Sequence, residues 1–199
     1  MYPGYLPGME LSWNAHGVVY SVNSLFPTHF LKGGIGTTWA ARDMLKSQSI
    51  ADAIARASPV GVSTAMSYNL GSTVEKRLLE VEVGTGGGAN VATHEIAQGE
   101  AYFHGNEFVV APIPPQLPDK STAARTARWK ALQPINSIAG IRGFLSDEHG
   151  AWPVYRNHIA PDDCYTEVTG VFDLRARTLS VWSNTPSTAG PPEKVFQLA

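Results

Sequence analysis

Glycine and proline punctuate this chain from end to end, nineteen of one and fourteen of the other in 199 residues. Each costs a helix interior dearly, about 1 kcal/mol for glycine and about 3 kcal/mol for proline relative to alanine. The many forced turns therefore favour a sheet-rich fold over a helical bundle. Between these breaks lie two kinds of apolar pattern, one with the period of a strand and one with that of a short helix.

Met9-Glu10-Leu11-Ser12-Trp13-Asn14 and the β-branched run Val18-Val19-Tyr20-Ser21-Val22-Asn23 flank the turn-forming Asn14-Ala15-His16-Gly17. Together they predict a hairpin. Trp39, Ala40, Met44 and Leu45 recur at helical spacing over residues 37–47, and Ile50, Ala53, Ile54 and Ala57 follow, with Ser49 as the cap of a second helix. Four strands are expected over residues 64–70, 76–83, 88–97 and 101–110. In the second of these Leu79, Val81 and Val83 alternate with charged residues, as in a half-buried strand. Residues 112–118 form a proline-rich loop. A helix is expected over residues 121–132, capped by Asp119 or Ser121, and another over residues 135–145. A last hairpin spans residues 164–174 and 178–183, before a short tail containing Pro191-Pro192. Paired strands, then paired helices, then strands indicate an α+β chain of antiparallel sheet covered by helices, one domain over residues 1–199.

An apolar content of 43% with 16% charged residues is that of a globular chain. The formal charge of −2 and the lack of any Lys/Arg cluster argue against nucleic acid or an anionic membrane as partner. No apolar run approaches the ~20 residues that cross a bilayer. The first eight residues have neither the basic flank nor the cleavage site of a signal peptide. One cysteine rules out an internal disulfide framework, so a reducing, cytoplasmic setting is expected.

Six histidines (16, 29, 94, 104, 149 and 158) raise the question of a metal. None has HxH or HxxxH spacing or a cysteine partner, so no metal or other cofactor is expected. Gly84-Thr85-Gly86-Gly87-Gly88 lacks the Lys-Ser/Thr of a phosphate-binding loop and joins two strands, so it reads as a mobile hairpin loop. Asp147-Glu148-His149 beside Ser146 lacks the glycines of a nucleophile elbow and reads as a polar turn. Cys164 follows Asp162-Asp163, two carboxylates that disfavour an anionic thiolate, and is read as structural. Asn23, Asn106 and Arg125 are different. Asparagine is a poor strand residue, so one that ends a strand or follows one invites a reason beyond turn chemistry. An amide N–H aimed at a developing oxyanion supplies one. Arg125 lies three residues before Arg128 on one helical face.

Taken in order, these residues resemble a known family. Tyr2-Pro3-Gly4 with Pro7-Gly8 is similar to its Thr/Tyr-Pro-Gly segment, and Asn14-Ala15-His16-Gly17-Val18 to its Asn-x-x-Gly-Leu turn. Val22-Asn23-Ser24-Leu25 resembles its Asn-bearing strand end, residues 39–57 its paired helices, and Ser67-Tyr68-Asn69-Leu70 the strand before Val81-Glu82-Val83. His104-Gly105-Asn106-Glu107-Phe108 resembles its His-Thr-Asn-His-Phe. Ser121-Thr122-Ala123-Ala124-Arg125, with Arg128, resembles its Ser-x-x-Arg helix start, and Trp152-Pro153-Val154-Tyr155-Arg156 its Pro-Ile-Tyr-Arg strand. The family is that of the acyl-coenzyme A:6-aminopenicillanate acyltransferases. It is a branch of the N-terminal-nucleophile hydrolases that includes isopenicillin N acyltransferase and the carcinine/N-β-alanyl-dopamine hydrolases. No single motif is specific; the ordered series is.

The resemblance implies a four-layer αββα sandwich and a cysteine nucleophile, freed as a new N-terminus, that forms an acyl-enzyme resolved by water or an amine. It implies that Asn23 and Asn106 bind the oxyanion and orient the nucleophile, and that Arg125 polarises the site. Ser121, Phe103, Glu107 and Phe108 are the expected substrate-binding residues. Two departures matter. The family's Gly-Cys-Thr cleavage site and Asn-x-Asp-Trp segment are not in these 199 residues, and Glu107 replaces the usual histidine. Gly36-Thr37 is the one junction resembling a processing site, and it falls at a predicted helix start. The expectation is therefore the C-terminal portion of the sandwich, lacking the nucleophile segment. Its unpaired sheet edge invites self-association or a missing N-terminal subunit. The expected substrate is a small N-acyl amine of the β-alanyl type. The alternatives are a penicillin-type acyltransferase and a non-catalytic relative that serves as a binding or structural module.

Overall fold

The computed structural model describes residues 4, 6–110, 112–187 and 190–199. Among the described residues there are two antiparallel sheets and four helices. β1 (Ser12–Trp13), β2 (Val18–Ser24), β3 (Met66–Ser72), β4 (Arg77–Val83) and β5 (Val91–Glu95) form one sheet in that order. β6 (Thr169–Asp173), β7 (Thr178–Trp182) and β8 (Lys194–Gln197) form the second. The helices are α1 (Thr37–Met44), α2 (Ile50–Ala57), α3 (Lys120–Ala131) and α4 (Ile138–Leu145). No helix among the described residues is long and apolar enough to cross a membrane.

Strand alternation distributes the larger sheet's side chains between two environments. Val18, Tyr20, Met66, Tyr68, Leu70, Leu79, Val81 and Val83 point to one face. There they join Ala41 and Met44 of α1 and Ile50, Ala53 and Ala57 of α2 in the main core. The Tyr20 hydroxyl donates to the carbonyl of Ala41 at 2.7 Å, tying α1 to the sheet. The Asn14 side chain of the first turn reaches the carbonyl of Ser47 at 2.7 Å, tying down the link between the helices. Ser49 caps α2 by accepting from Asp52 N–H.

The opposite face is divided along its length. At one end Val19 packs with Leu179, Val181, Phe172 and Phe196 of the second sheet, with Leu198 just beyond it, and with Leu11 and Trp13. Gly170 lets this happen: a Cβ there would lie 2.1 Å from Leu11 Cδ1. Trp182 of β7 alternates to the outward side of the second sheet, where Arg142 of α4 lies 4.9 Å above its ring. At the other end the larger sheet presents Asn23, Ser67 and Glu82 in one register row and Ser21, Asn69 and Glu80 in the next.

The expected hairpins, helices and most strands are present with modest shifts at their ends. Some expectations need correction. Residues 101–110 form no strand, because their N–H groups are taken by side chains: Asn106 N–H donates to Thr122, Phe108 N–H to Gln116, and Val109 and Val110 N–H to Glu82. The tail contains β8, which completes the second sheet through β7. Finally, the charged residues of β4 are not all solvated, since Glu80 and Glu82 are fully buried beneath residues 104–110. The glycine loop between β4 and β5 is also less free than expected. Gly86 and Gly88 N–H donate to the carbonyls of Val62 and Ser58, and a Cβ at Gly87 would lie 2.2 Å from the carbonyl oxygen of Pro59. The Tyr2-Pro3 part of the first family-like segment lies outside the described residues.

Candidate active site

The site begins at the first turn of α3. Asp119 caps the helix, accepting from Ser121 and Thr122 N–H at 3.2 and 2.9 Å, which satisfies two donors that a helix N-terminus leaves without partners. The buried Thr122 then holds the loop above it, its hydroxyl accepting from Asn106 N–H at 3.0 Å. This close approach needs glycine at position 105, where a Cβ would come within 2.7 Å of Thr122 Cγ2.

One turn along, Arg125 points back to the same loop. Its guanidinium donates to Asn106 Oδ1 at 2.8 Å and to Thr122 Oγ1 at 3.1 Å, and its Nε meets the Ser121 hydroxyl and carbonyl, each at 3.3 Å. Asn106 Nδ2 donates to the carbonyl of Ser24 at 2.9 Å. These partners determine which way the amide faces, since a flipped group would set donor against donor. One Nδ2 hydrogen is thus fixed and the second is available, on an amide whose oxygen is polarised by a cation. Burial and the charge of Arg156 hold Arg125 below the usual arginine value, while Asp119, Asp162 and Cys164 act the other way. Guanidinium remains charged under any such shift.

Asn23, next to Ser24 at the end of β2, points to the polar face of the sheet. Its Nδ2 donates to the carbonyl of His104 at 3.1 Å and lies 3.5 Å from His104 Nδ1. The His104 ring is fully buried. Nε2 faces Glu82 Oε1 at 2.9 Å and Glu80 Oε1 at 3.5 Å, and Nδ1 faces the carbonyl of Gly105 at 2.8 Å and Ser67 Oγ at 3.2 Å. Each ring nitrogen thus has an acceptor before it, Glu82 at Nε2 and the Gly105 carbonyl at Nδ1, while the Ser67 hydroxyl, which donates to Glu80, and Asn23 Nδ2 also lie near Nδ1. This is the environment of an imidazolium, which carries a hydrogen on both nitrogens. Burial opposes the charged ring, but the bond to Glu82 and the charges of both glutamates outweigh it, and the His104 pKa is raised.

The carboxylates themselves are unequal. Glu82 accepts from His104 and from Val109 and Val110 N–H at 2.7 and 3.1 Å, a set of charge-assisted bonds that suits an anion. Glu80 accepts from Ser67 Oγ in a short contact. Its other oxygen, Oε2, has no hydrogen-bond partner among the described residues. Burial pushes Glu80 up to about 7, opposed by His104 and Ser67 and reinforced by Glu82.

A cavity of about 360 Å³ opens beside this network. Phe108, Val91, Ala92 and the Pro112–Pro115 stretch wall it, and Glu82 forms part of its floor. Phe108 is held by Gln116 through two bonds, N–H to Oε1 at 2.6 Å and Nε2 to the carbonyl at 3.2 Å.

A sequence profile of the acyl-coenzyme A:6-aminopenicillanic acid acyl-transferase family matches residues 1–188. The chain belongs to this family. The β-alanyl-dopamine/carcinine hydrolase of Drosophila melanogaster is similar to it, 29% identical over 202 residues, covering 96% of this chain and 52% of that protein. The chain therefore spans about half the length of the curated relative it matches.

Of the residues singled out from sequence, Asn106, Arg125 and Ser121 meet directly. Asn23 joins them through His104, two residues before Asn106. Phe108 lines the cavity. Phe103 stacks on Trp129 and meets Phe144 edge-on, in an aromatic cluster beneath α3 and α4. Glu107 accepts from Thr126 Oγ1 at 3.2 Å. Arg128 is not a solvated twin of Arg125, since it pairs with Asp147 at 2.6 Å. Cys164 is exposed, and its thiol meets Asp163 Oδ1 at 3.9 Å. Asp162, Asp163 and Cys164 group their ligand atoms within 4.8 Å, but Asp162 is engaged by Arg156 at 2.7 Å. Sequence reasoning gave no role to Ser67, Glu80 and Glu82, and met His104 only within the family-like segment 104–108 and among the histidines weighed for a metal. The one available signal was the pairing of polar residues across β3 and β4 in the same register, which depends on knowing the strand alignment.

Proposed function

We propose that this chain forms the oxyanion-binding and substrate-binding part of an amide hydrolase or acyltransferase that acts on small N-acyl amines through a cysteine acyl-enzyme. The observation that carries this is the clamped amide of Asn106, with its oxygen on Arg125 and one N–H on Ser24, in a chain of this family. The second Nδ2 hydrogen of Asn106 and the Asn23 Nδ2 hydrogen that the His104 carbonyl does not take are the donors for the tetrahedral oxyanion. Held in advance, such donors need no reorganisation during the reaction. A thiolate adds to the amide carbonyl, the amine leaves with a proton, and water or a second amine takes the acyl group from the thioester.

The layer order supports an αββα sandwich of the N-terminal-nucleophile type: α1 and α2, the five-stranded sheet, the three-stranded sheet, then α4 over Trp182. In this reading the chain is a single domain, the C-terminal portion of that sandwich. The nucleophile comes from polypeptide other than these residues, because Cys164 sits exposed beside Asp163 and bonds neither asparagine. Sheet edges fit a partner segment that adds strands. The β-alanyl-amine class follows the name of the Drosophila relative, and the cavity beside Phe108 suits the apolar part of such an amine.

The test is amine release from N-β-alanyl-dopamine and carcinine by the longest product of this reading frame. We expect turnover that falls by about 10²-fold or more in Asn106→Ala, the usual cost of losing an oxyanion donor. Turnover undiminished in Asn106→Ala would contradict the assignment. No turnover on any N-acyl amine would favour the binding-module alternative.

A further inference from the structure

We propose that Ser67, Glu80, Glu82 and His104 are positioning residues: a buried hydrogen-bonded network that sets the Asn23 and Asn106 side chains for acyl transfer. The proposal rests on the amide-processing reading above and assigns roles to four residues that it leaves without one.

The geometry makes the connection short. Residues 104–110 form no strand of their own, so their position depends on what holds them. β4 holds them twice, Glu82 binding His104 Nε2 at one point and Val109 and Val110 N–H at another. Asn23 hangs from the His104 carbonyl, and Asn106 lies two residues further along the same segment. A displacement of the ring toward Glu80 or Glu82 therefore moves the anchor of one amide and the backbone of the other. None of the four is assigned contact with the reacting atoms.

The network also has a stored degree of freedom. Two carboxylates and one imidazole share a space almost closed to water, and Glu80 Oε2 has no hydrogen-bond partner among the described residues. The charged or titratable groups facing Glu80 are Glu82 on its own strand, His94 from β5, and His104 and Tyr102 from the covering segment, while Ser67 of β3 bonds it. With a proton on Glu80, the imidazolium and Glu82 form a balanced pair. Without it, a second buried anion lies 3.5 Å from Nε2 and competes with Glu82 for the ring. Buried polar networks respond strongly to such a change because the surrounding dielectric is low. The protonation of Glu80 is thus coupled to the placement of Asn23.

The experiment is an NMR titration of the 199-residue chain, following the side-chain amides of Asn23 and Asn106 and the His104 ring from about pH 5 to about pH 9. The expected result is a shift of the Asn23 amide that tracks the His104 ring with a midpoint near neutrality. It should vanish in Glu80→Gln and change its midpoint in Ser67→Ala, which keeps both charges. An Asn23 amide that does not move in the folded wild-type chain would overturn the proposal without recourse to any variant. So would a titration unchanged in Glu80→Gln. Because the readout needs no turnover, failure of the amide-hydrolysis assay would count against the function and leave this result intact.

Discussion

Glu80 is the residue whose chemistry departs furthest from what its sequence context suggests. Its folded-state value of about 7 lies above the ordinary 4.5, with burial as the largest cause. The folded chain therefore holds this proton more tightly than the unfolded chain. The resulting stabilisation is fully present below pH 4.5 and is lost as pH rises through about 7. His104, also raised, acts with the same sign, its contribution fading as pH rises through its folded value. Glu80→Gln should flatten the loss of stability between about pH 5 and about pH 8, a difference on the order of 3 kcal/mol for a shift of this size. Urea unfolding at both pH values measures it, and equal slopes in wild type and variant would rule out Glu80 as the source. Sequence reading had little access to this. Alternation in β4 correctly identifies Leu79, Val81 and Val83 as one buried face, but alternation alone cannot tell whether the opposite face meets water or a covering segment.

At the scale of elements, local chemistry predicted what local chemistry controls. Ser49 and Asp119 cap α2 and α3 as expected, because a cap is a contact between near neighbours in the chain. Residues 101–110 show where that logic fails. Their aromatic and β-branched content suits a strand, yet Glu82, Gln116 and Thr122, distant in sequence, take the N–H groups that a ladder would use. β8 escaped notice because four residues after a Pro-Pro pair carry too short a pattern. The candidate site divides in the same way. Asn106, Arg125 and Ser121 were recognised through an ordered motif series, whereas Ser67 and Glu80 become neighbours only through the register of β3 with β4. The contact between the two sheets should be the most sensitive to truncation. Leu179 is fully buried against Val19 and the β8 side chains, and Leu179→Ala should destabilise by about 2–5 kcal/mol. Thermal or urea unfolding reads this; a change within about 0.5 kcal/mol, typical of a surface site, would mean that the sheets do not pack as described.

For the whole molecule, the arrangement is a division of labour across one sheet. One face is an apolar core against α1 and α2, and it fixes the strands. The other face is apolar where the second sheet packs and polar where residues 104–110 and α3 complete the site. This gives the donors a rigid support while leaving them at a half-buried edge. Family membership and the clamped Asn106 support the proposed acyl-transfer role, in which the nucleophile lies outside these residues. The most direct measurement is amine release from N-β-alanyl-dopamine by the purified 199-residue chain and its Cys164→Ala variant. The account predicts no turnover by either. Turnover by the wild-type chain that disappears in Cys164→Ala would contradict it, making Cys164 the nucleophile.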